Sequence, residues 1–220
     1  MLQRVKGLMK RRGFEIFTRP YELNIVGLRN RNVRNADEIH VFYKINSRNW
    51  NYHVYEAITD SATIWQGKAP YPLRPVLLAE GQYKGAYKLG KHKNTDALVE
   101  VKPVTVVRDL DRSSLMSAGT KTSELFGIDI LAATEEGETI SLDIQDEGCQ
   151  LLLGDENFKE FLGYCGKHKE LYGNEFSYSL IDFRTSRRKM IRTGFAIAAS
   201  ILSSFLFGFL MQDKKDKRQK

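Results

Sequence analysis

IHVFYKINSRNWNYHVYEAI, residues 39–58, decides what kind of fold this chain adopts. Residues 39–45 and 50–58 are dense in β-branched and aromatic side chains, and Asn46-Ser47-Arg48-Asn49 between them has turn chemistry. The pattern predicts a β-hairpin. Strand side chains alternate between faces, so Trp50, Tyr52, Val54 and Glu56 share one face and His53, Tyr55 and Ala57 the other. His40 and His53 then read as strand-surface or hairpin-pairing residues.

Outward from the hairpin the same kind of sequence continues. Toward the N-terminus, residues 14–28 mix β-formers with Pro20 and Gly27, and residues 1–13 place Leu2, Val5, Leu8 and Met9 on one short helical face. That helix is basic, with Arg4, Lys6, Lys10, Arg11 and Arg12, and no apolar run of signal-peptide length follows it. Toward the C-terminus, residues 66–90 are rich in Gly, Pro and Tyr and read as loop and turn, interrupted by Val76-Leu77-Leu78. Residues 97–108 are β-rich with an edge or bulge at Pro103, 109–123 are polar and loop-like, and 125–131 and 138–144 read as strands around Glu135-Glu136-Gly137. One helix is well marked, over 156–172. Asp155 is placed to cap it, Phe158, Phe161, Leu162 and Cys165 form its apolar stripe, and Gly173-Asn174 ends it. Residues 175–183 alternate as a final strand. Many strands and a late helix predict an α+β, β-rich domain over 14–183 with peripheral helices.

Beyond it, TGFAIAASILSSFLFGFLMQ, residues 193–212, runs without a charge. At about 1.5 Å per residue such a helix reaches about 30 Å, the thickness of a bilayer's hydrocarbon core. The expectation is therefore a single-pass C-terminal transmembrane helix, between a basic linker (184–192) and a basic tail (213–220), with the lipid bilayer as partner. Residues 184–220 hold ten Lys and Arg against Asp213 and Asp216, a net of +8, so the chain's +7 leaves −1 for residues 1–183. Basic side chains massed on membrane flanks argue against nucleic acid as a partner.

Cys149 and Cys165 are the two cysteines, too few for a disulfide framework. Cys149 follows Gly148 in Asp146-Glu147-Gly148-Cys149-Gln150, ahead of the helix. A thiol there can meet substrate, but it needs a lowered pKa or a neighbouring base to act as a nucleophile. Asp143, Asp146 and Glu147 oppose a thiolate, and no histidine lies between Lys93 and Lys167. His92, in Gly90-Lys91-His92-Lys93, is a candidate replacement base. His168 reads as a solvent-side or capping residue, and Cys165 as core. The acidic residues near 135–147 meet no known metal-ligand spacing, so neither a metal nor a cofactor is expected.

Several segments together carry a resemblance: FTRPYELNIVGLRN, ADEIHVFYK, LAEGQYKGAYKLGKHK, ALVEVKPVTVVRD, LFGIDI, GCQ and FLGYCGKHKELYGNEFSYSLID. From about residue 14 to 183 the chain resembles phage-encoded proteins related to the L,D-transpeptidase (YkuD-like) catalytic domain. The resemblance implies a YkuD-like mixed β-domain and a catalytic histidine at a strand end. A Ser-x-Gly-Cys would follow, its cysteine attacking a peptidoglycan amide. Carried across, Gly148 and Cys149 remain, but the histidine position is Leu131, the serine is Asp146, and the arginine two positions after the cysteine is Leu151. General-base help is worth about 10²–10⁴ in rate. Its loss implies a catalytically inactive version, and with the apolar run at 193–212 the expectation is a membrane-anchored phage protein at the host inner membrane or in a virion, binding peptidoglycan or phage structural proteins. The alternatives are an active cysteine hydrolase or transpeptidase using Cys149 with a relocated base, and a tail-anchored assembly or lysis factor.

Overall fold

A computed structural model of the chain describes residues 1–30, 37–59, 76–108, 120–136, 139–141 and 148–183. The 39–58 hairpin is present as β2 (Asp37–Lys44) and β3 (Trp50–Ile58), in antiparallel register from Asp37↔Ala57 to Lys44↔Trp50. It does not end a sheet. Together with β1 (Asn24–Arg29), β5 (Gly81–His92), β6 (Thr95–Glu100), β9 (Ile130–Ala132), β12 (Gln150–Leu152) and β13 (Phe176–Asp182) it closes a barrel of order β1-β13-β5-β6-β9-β12-β3-β2. Two pairs are parallel, β1 with β13 and β9 with β12. Closure leaves no unpaired edge in this sheet. Smaller sheets, β4-β7-β8 and β10-β11, are built from β4 (Val76–Leu78), β7 (Val104–Arg108), β8 (Thr120–Glu124), β10 (Thr134–Glu136) and β11 (Thr139–Ser141).

The expected YkuD-like mixed β-domain is therefore corrected to an eight-stranded closed barrel with two helices among the described residues. The expected single-pass C-terminal anchor is corrected as well. No helix among the described residues is long and apolar enough to cross a membrane, and residues 193–212 lie outside them.

The two helices serve opposite sides of the barrel wall. On α2 (Asp155–Tyr172), Phe158, Phe161 and Cys165 join the interior cluster with Ile25, Val41, Tyr55, Leu98, Ile130 and Leu152. Asp155 does not cap this helix but begins it, and Gly154 is the N-cap. α1 (Leu2–Arg11) lays Val5, Leu8 and Met9 on the outer face, against Val26, Leu28, Phe42 and Ile181. That explains why β1 is buried on both faces, with Ile25 turned inward and Val26 and Leu28 under α1.

β5 departs furthest from expectation, a twelve-residue strand in a region that reads as loop. Its glycines answer to close approaches. At Gly85, φ is +56° and a Cβ would run into the Glu175 side chain, 2.6 Å from its carboxyl carbon, where the β5–β13 register shifts. At Gly90 a Cβ would stand 2.8 Å from Val99. Two further boundaries also move: 125–129 is not strand, and β8 lies in the expected loop.

Candidate functional site

β9 and β12 run side by side with Leu131 opposite Leu151, which brings Cys149 at the start of β12 next to Asp129 at the start of β9. The Gln150 N–H donates to the Asp129 carbonyl at 2.8 Å and fixes that approach. Gly148 makes the turn into β12 with φ +84°, and a Cβ there would press on the Val76 carbonyl at 3.0 Å. Backbone geometry thus accounts for the glycine of the Gly-Cys pair.

The Cys149 thiol is fully buried. Its sulfur accepts the Asp129 N–H at 3.4 Å and its S–H donates to the Gly127 carbonyl at 3.5 Å. Around it pack Ala97, Leu131, Ala133 and Leu151. Leu131, in the position where the resemblance requires the catalytic histidine, fills the same apolar cluster as the sulfur. Asp146 lies outside the described residues.

His92, the candidate replacement base, is half-buried. It ends β5, and its Nδ1 meets the Asp129 carboxylate Oδ2 at 2.7 Å, while Oδ1 accepts the Glu100 N–H at 2.7 Å. Asp129 therefore joins the two candidates, with its side chain on His92 and its N–H on Cys149. Sequence reasoning alone passes over Asp129; the available signal is an acidic residue inside the apolar run Gly127-Ile128-Asp129-Ile130-Leu131. Next to it the Glu100 carboxylate accepts the N–H groups of Phe126 (3.2 Å) and Ile128 (2.7 Å). Burial pushes that carboxyl above its usual range, and the nearby Asp129 charge adds to the effect. An imidazole oriented by a carboxylate is the orienting half of a triad, but a nucleophile must also be reachable by substrate, and this sulfur is enclosed.

The other candidates fall elsewhere. Cys165 is a free, buried thiol in the interior cluster, and burial pushes it far up; it does not share a cluster with Cys149, and the two form no disulfide. Among the described residues no three metal-ligating side chains group together. His40 pairs with Val54 in the hairpin, one of the two expected placements, but it is buried, and the solvent-side or capping place expected for His168 is corrected to a buried one. His168 accepts the Leu23 N–H at Nδ1 (3.1 Å) and donates from Nε2 to the Glu175 carbonyl (3.1 Å), tying α2 to β1 and β13. Beneath α1, His40 contacts the Tyr52 hydroxyl at 2.8 Å and the Glu38 carboxylate at 3.0 Å. Burial is the main cause holding both imidazoles below the ordinary 6.5, although Glu38 and the Glu175 carbonyl pull the other way.

Such a shift has a definite sign. The unfolded chain takes up these protons near 6.5 while the folded chain resists until lower pH, so their stabilisation is complete above 6.5 and is lost as pH falls below it. Urea midpoints are expected to drop between about pH 7 and pH 5. His168→Gln should lower the midpoint at every pH and flatten that slope; an unchanged slope would show that His168 does not titrate over this range.

In comparisons with family models, curated proteins and solved structures, this chain matches none, so the resemblance to L,D-transpeptidases rests on the residues quoted for it.

Proposed function

We propose that this barrel is a non-catalytic binding module, an L,D-transpeptidase-like phage protein whose thiol has become structural. It holds a partner at the cell envelope or within a virion and does not cut wall peptide. The observation that carries the reading is the Cys149 sulfur, fully buried, hydrogen-bonded to the backbone of residues 127 and 129, and packed with Leu131 in the place of a base. A thiol in that position is a core side chain.

The test is alkylation resolved by peptide mass spectrometry. In the native protein near pH 7.5, Cys149 is expected to react with iodoacetamide at least about 100-fold more slowly than in urea, because only the opened state exposes it. Purified peptidoglycan should show no turnover. Turnover that Cys149→Ala abolishes would overturn the reading.

One observation favours a second reading. The 2.7 Å pair of His92 with Asp129, itself in contact with Cys149, suits an active cysteine hydrolase or transpeptidase with a relocated base. That reading requires native Cys149 to alkylate readily at neutral pH and His92→Ala to slow it. Protection of Cys149 in both proteins would exclude it.

A further inference from the structure

The outer side of α1 carries a charge pattern that the barrel does not need. With Val5, Leu8 and Met9 turned inward, Arg4, Lys10 and Arg11 are exposed, Lys6 is half-buried, and the helix has no acidic side chain. The adjoining hairpin adds Lys44 and Arg48. Five lysines elsewhere are matched to acids, Lys84 to Glu15, Lys91 to Asp96, Lys102 to Glu175, Lys159 to Glu156 and Lys167 to Glu170, whereas exposed lysines without an ion pair among the described residues, such as Lys88 and Lys169, stand singly. Among the described residues no ion pair involves Arg4, Lys6, Lys10, Arg11 or Arg48. Of the nearby acids, Glu80 is paired with Arg12, while Glu38, bonded to an imidazole that burial keeps below 6.5, and the exposed Glu56 opposite it set two negative charges against this larger group of cations. The cations also crowd one another. Burial is the first cause lowering the Lys6 ammonium, and Lys44 and Lys10 lower it further. Basic side chains in such excess on one face suit an anionic partner.

We propose that the outer face of α1 and the adjoining β2–β3 hairpin dock the anionic headgroups of a lipid bilayer. Three features favour this partner over a nucleic acid. A helix lying on the outside of a closed barrel is convex and offers a broad surface, not a groove. The Lys6 ammonium sits 3.2 Å from the centroid of the Trp50 ring, with Lys44 at 5.6 Å, so the indole face is taken by cations and is closed to a base. The start of α1 and the hairpin also expose large apolar side chains, Met1 (65 %) at the former and Ile45 (42 %) and Val54 (42 %) on the latter. Mixed basic and apolar exposure is the composition of an interfacial surface. The proposal rests on the binding reading above and names the partner. It makes no use of residues 193–212.

The experiment uses the full chain and co-sedimentation with phosphatidylcholine vesicles, with and without about one-third phosphatidylserine, the difference reporting the anion-dependent part. That difference should be lost in high salt. Arg4→Gln/Lys10→Gln/Arg11→Gln, all exposed positions, should weaken the anion-dependent partition by on the order of 100-fold, since each cation near such a surface is worth about fivefold. Lys44→Gln/Arg48→Gln tests the hairpin independently and should weaken it by on the order of tenfold. Circular dichroism checks that both variants fold. An anion-dependent partition unchanged in both would overturn the proposal, as would variants that lose duplex-DNA binding while vesicle binding stays intact. Rapid alkylation of native Cys149 would instead end the non-catalytic reading, so the two failures are told apart.

Discussion

Arg29→Ala is expected to lower the stability of the barrel by about 3–5 kcal/mol, the cost of taking one partner from a buried ion pair. Arg29 is 2 % exposed, and each of its three side-chain nitrogens donates inside the protein. Nε donates to the Thr59 hydroxyl at 3.0 Å, Nη1 to the Leu78 carbonyl at 2.8 Å and to Asp182 at 3.2 Å, and Nη2 to the Thr59 carbonyl. Thr59 in turn donates its N–H and hydroxyl to Asp37. One guanidinium thus ties the end of β1 to β13, to the exit of β3 and to β4. Removing it takes the cation from a buried carboxylate and leaves two carbonyls with fewer donors. Lysine cannot span the same fork, so Arg29→Lys should recover only part of the loss. Arg29→Met/Asp182→Leu should lie well above Arg29→Ala, because an apolar pair avoids a stranded charge. Urea unfolding measures all three; a loss below about 1 kcal/mol for Arg29→Ala would remove Arg29 from this role.

What can be read from the sequence follows the range of the interactions involved. The hairpin of β2 and β3, α2 and β13 are legible because alternation, an apolar stripe and a glycine stop are local signals. Barrel closure is not. It depends on β1 lying parallel to β13, so that Ile25 meets Tyr178 from the far end of the domain, and no local pattern encodes that meeting. β5 is hidden because glycine ordinarily marks a turn, whereas Gly85 and Gly90 are there to admit Glu175 and Val99. The long apolar run at 193–212 dominates any reading of location from sequence, but the described residues contain no helix fit to span a bilayer.

The site divides the same way. That Cys149 stands at a turn before a strand can be read from Gly148; that its sulfur bonds to the backbone around Asp129 cannot, since a contact across twenty residues depends on strand pairing. His92 stands out in the sequence for its chemistry, without a partner. The partner, Asp129, comes from a segment in which the sequence draws attention only to the neighbouring Leu131.

The second large effect lies at Gly27, and it links the barrel interior to this site. A Cβ on Gly27 would overlap the Tyr178 hydroxyl oxygen and stand 2.9 Å from the carbon bearing it. Tyr178 is fully buried and cannot yield toward solvent. Its hydroxyl donates to Gln150 Oε1 at 3.0 Å, and Gln150 Nε2 donates to the Gly148 carbonyl at 2.8 Å, the residue beside Cys149. Gly27→Ala should therefore cost about 3–4 kcal/mol, the upper range for overpacking plus one lost hydrogen bond. Tyr178→Phe removes the closest contact, so the double variant should be more stable than the sum of the two single losses allows, by about 1 kcal/mol or more. Strict additivity would mean that the ring shifts freely and the contact carries no strain. The alkylation readout separates a local effect from a general one. If Gly27→Ala acts through Tyr178 and Gln150, native Cys149 becomes faster to alkylate while Cys165, on the buried face of α2, stays protected. Equal acceleration at both thiols would show that the substitution only loosens the whole barrel, and that Gln150 does not hold the Gly148 turn closed over the sulfur.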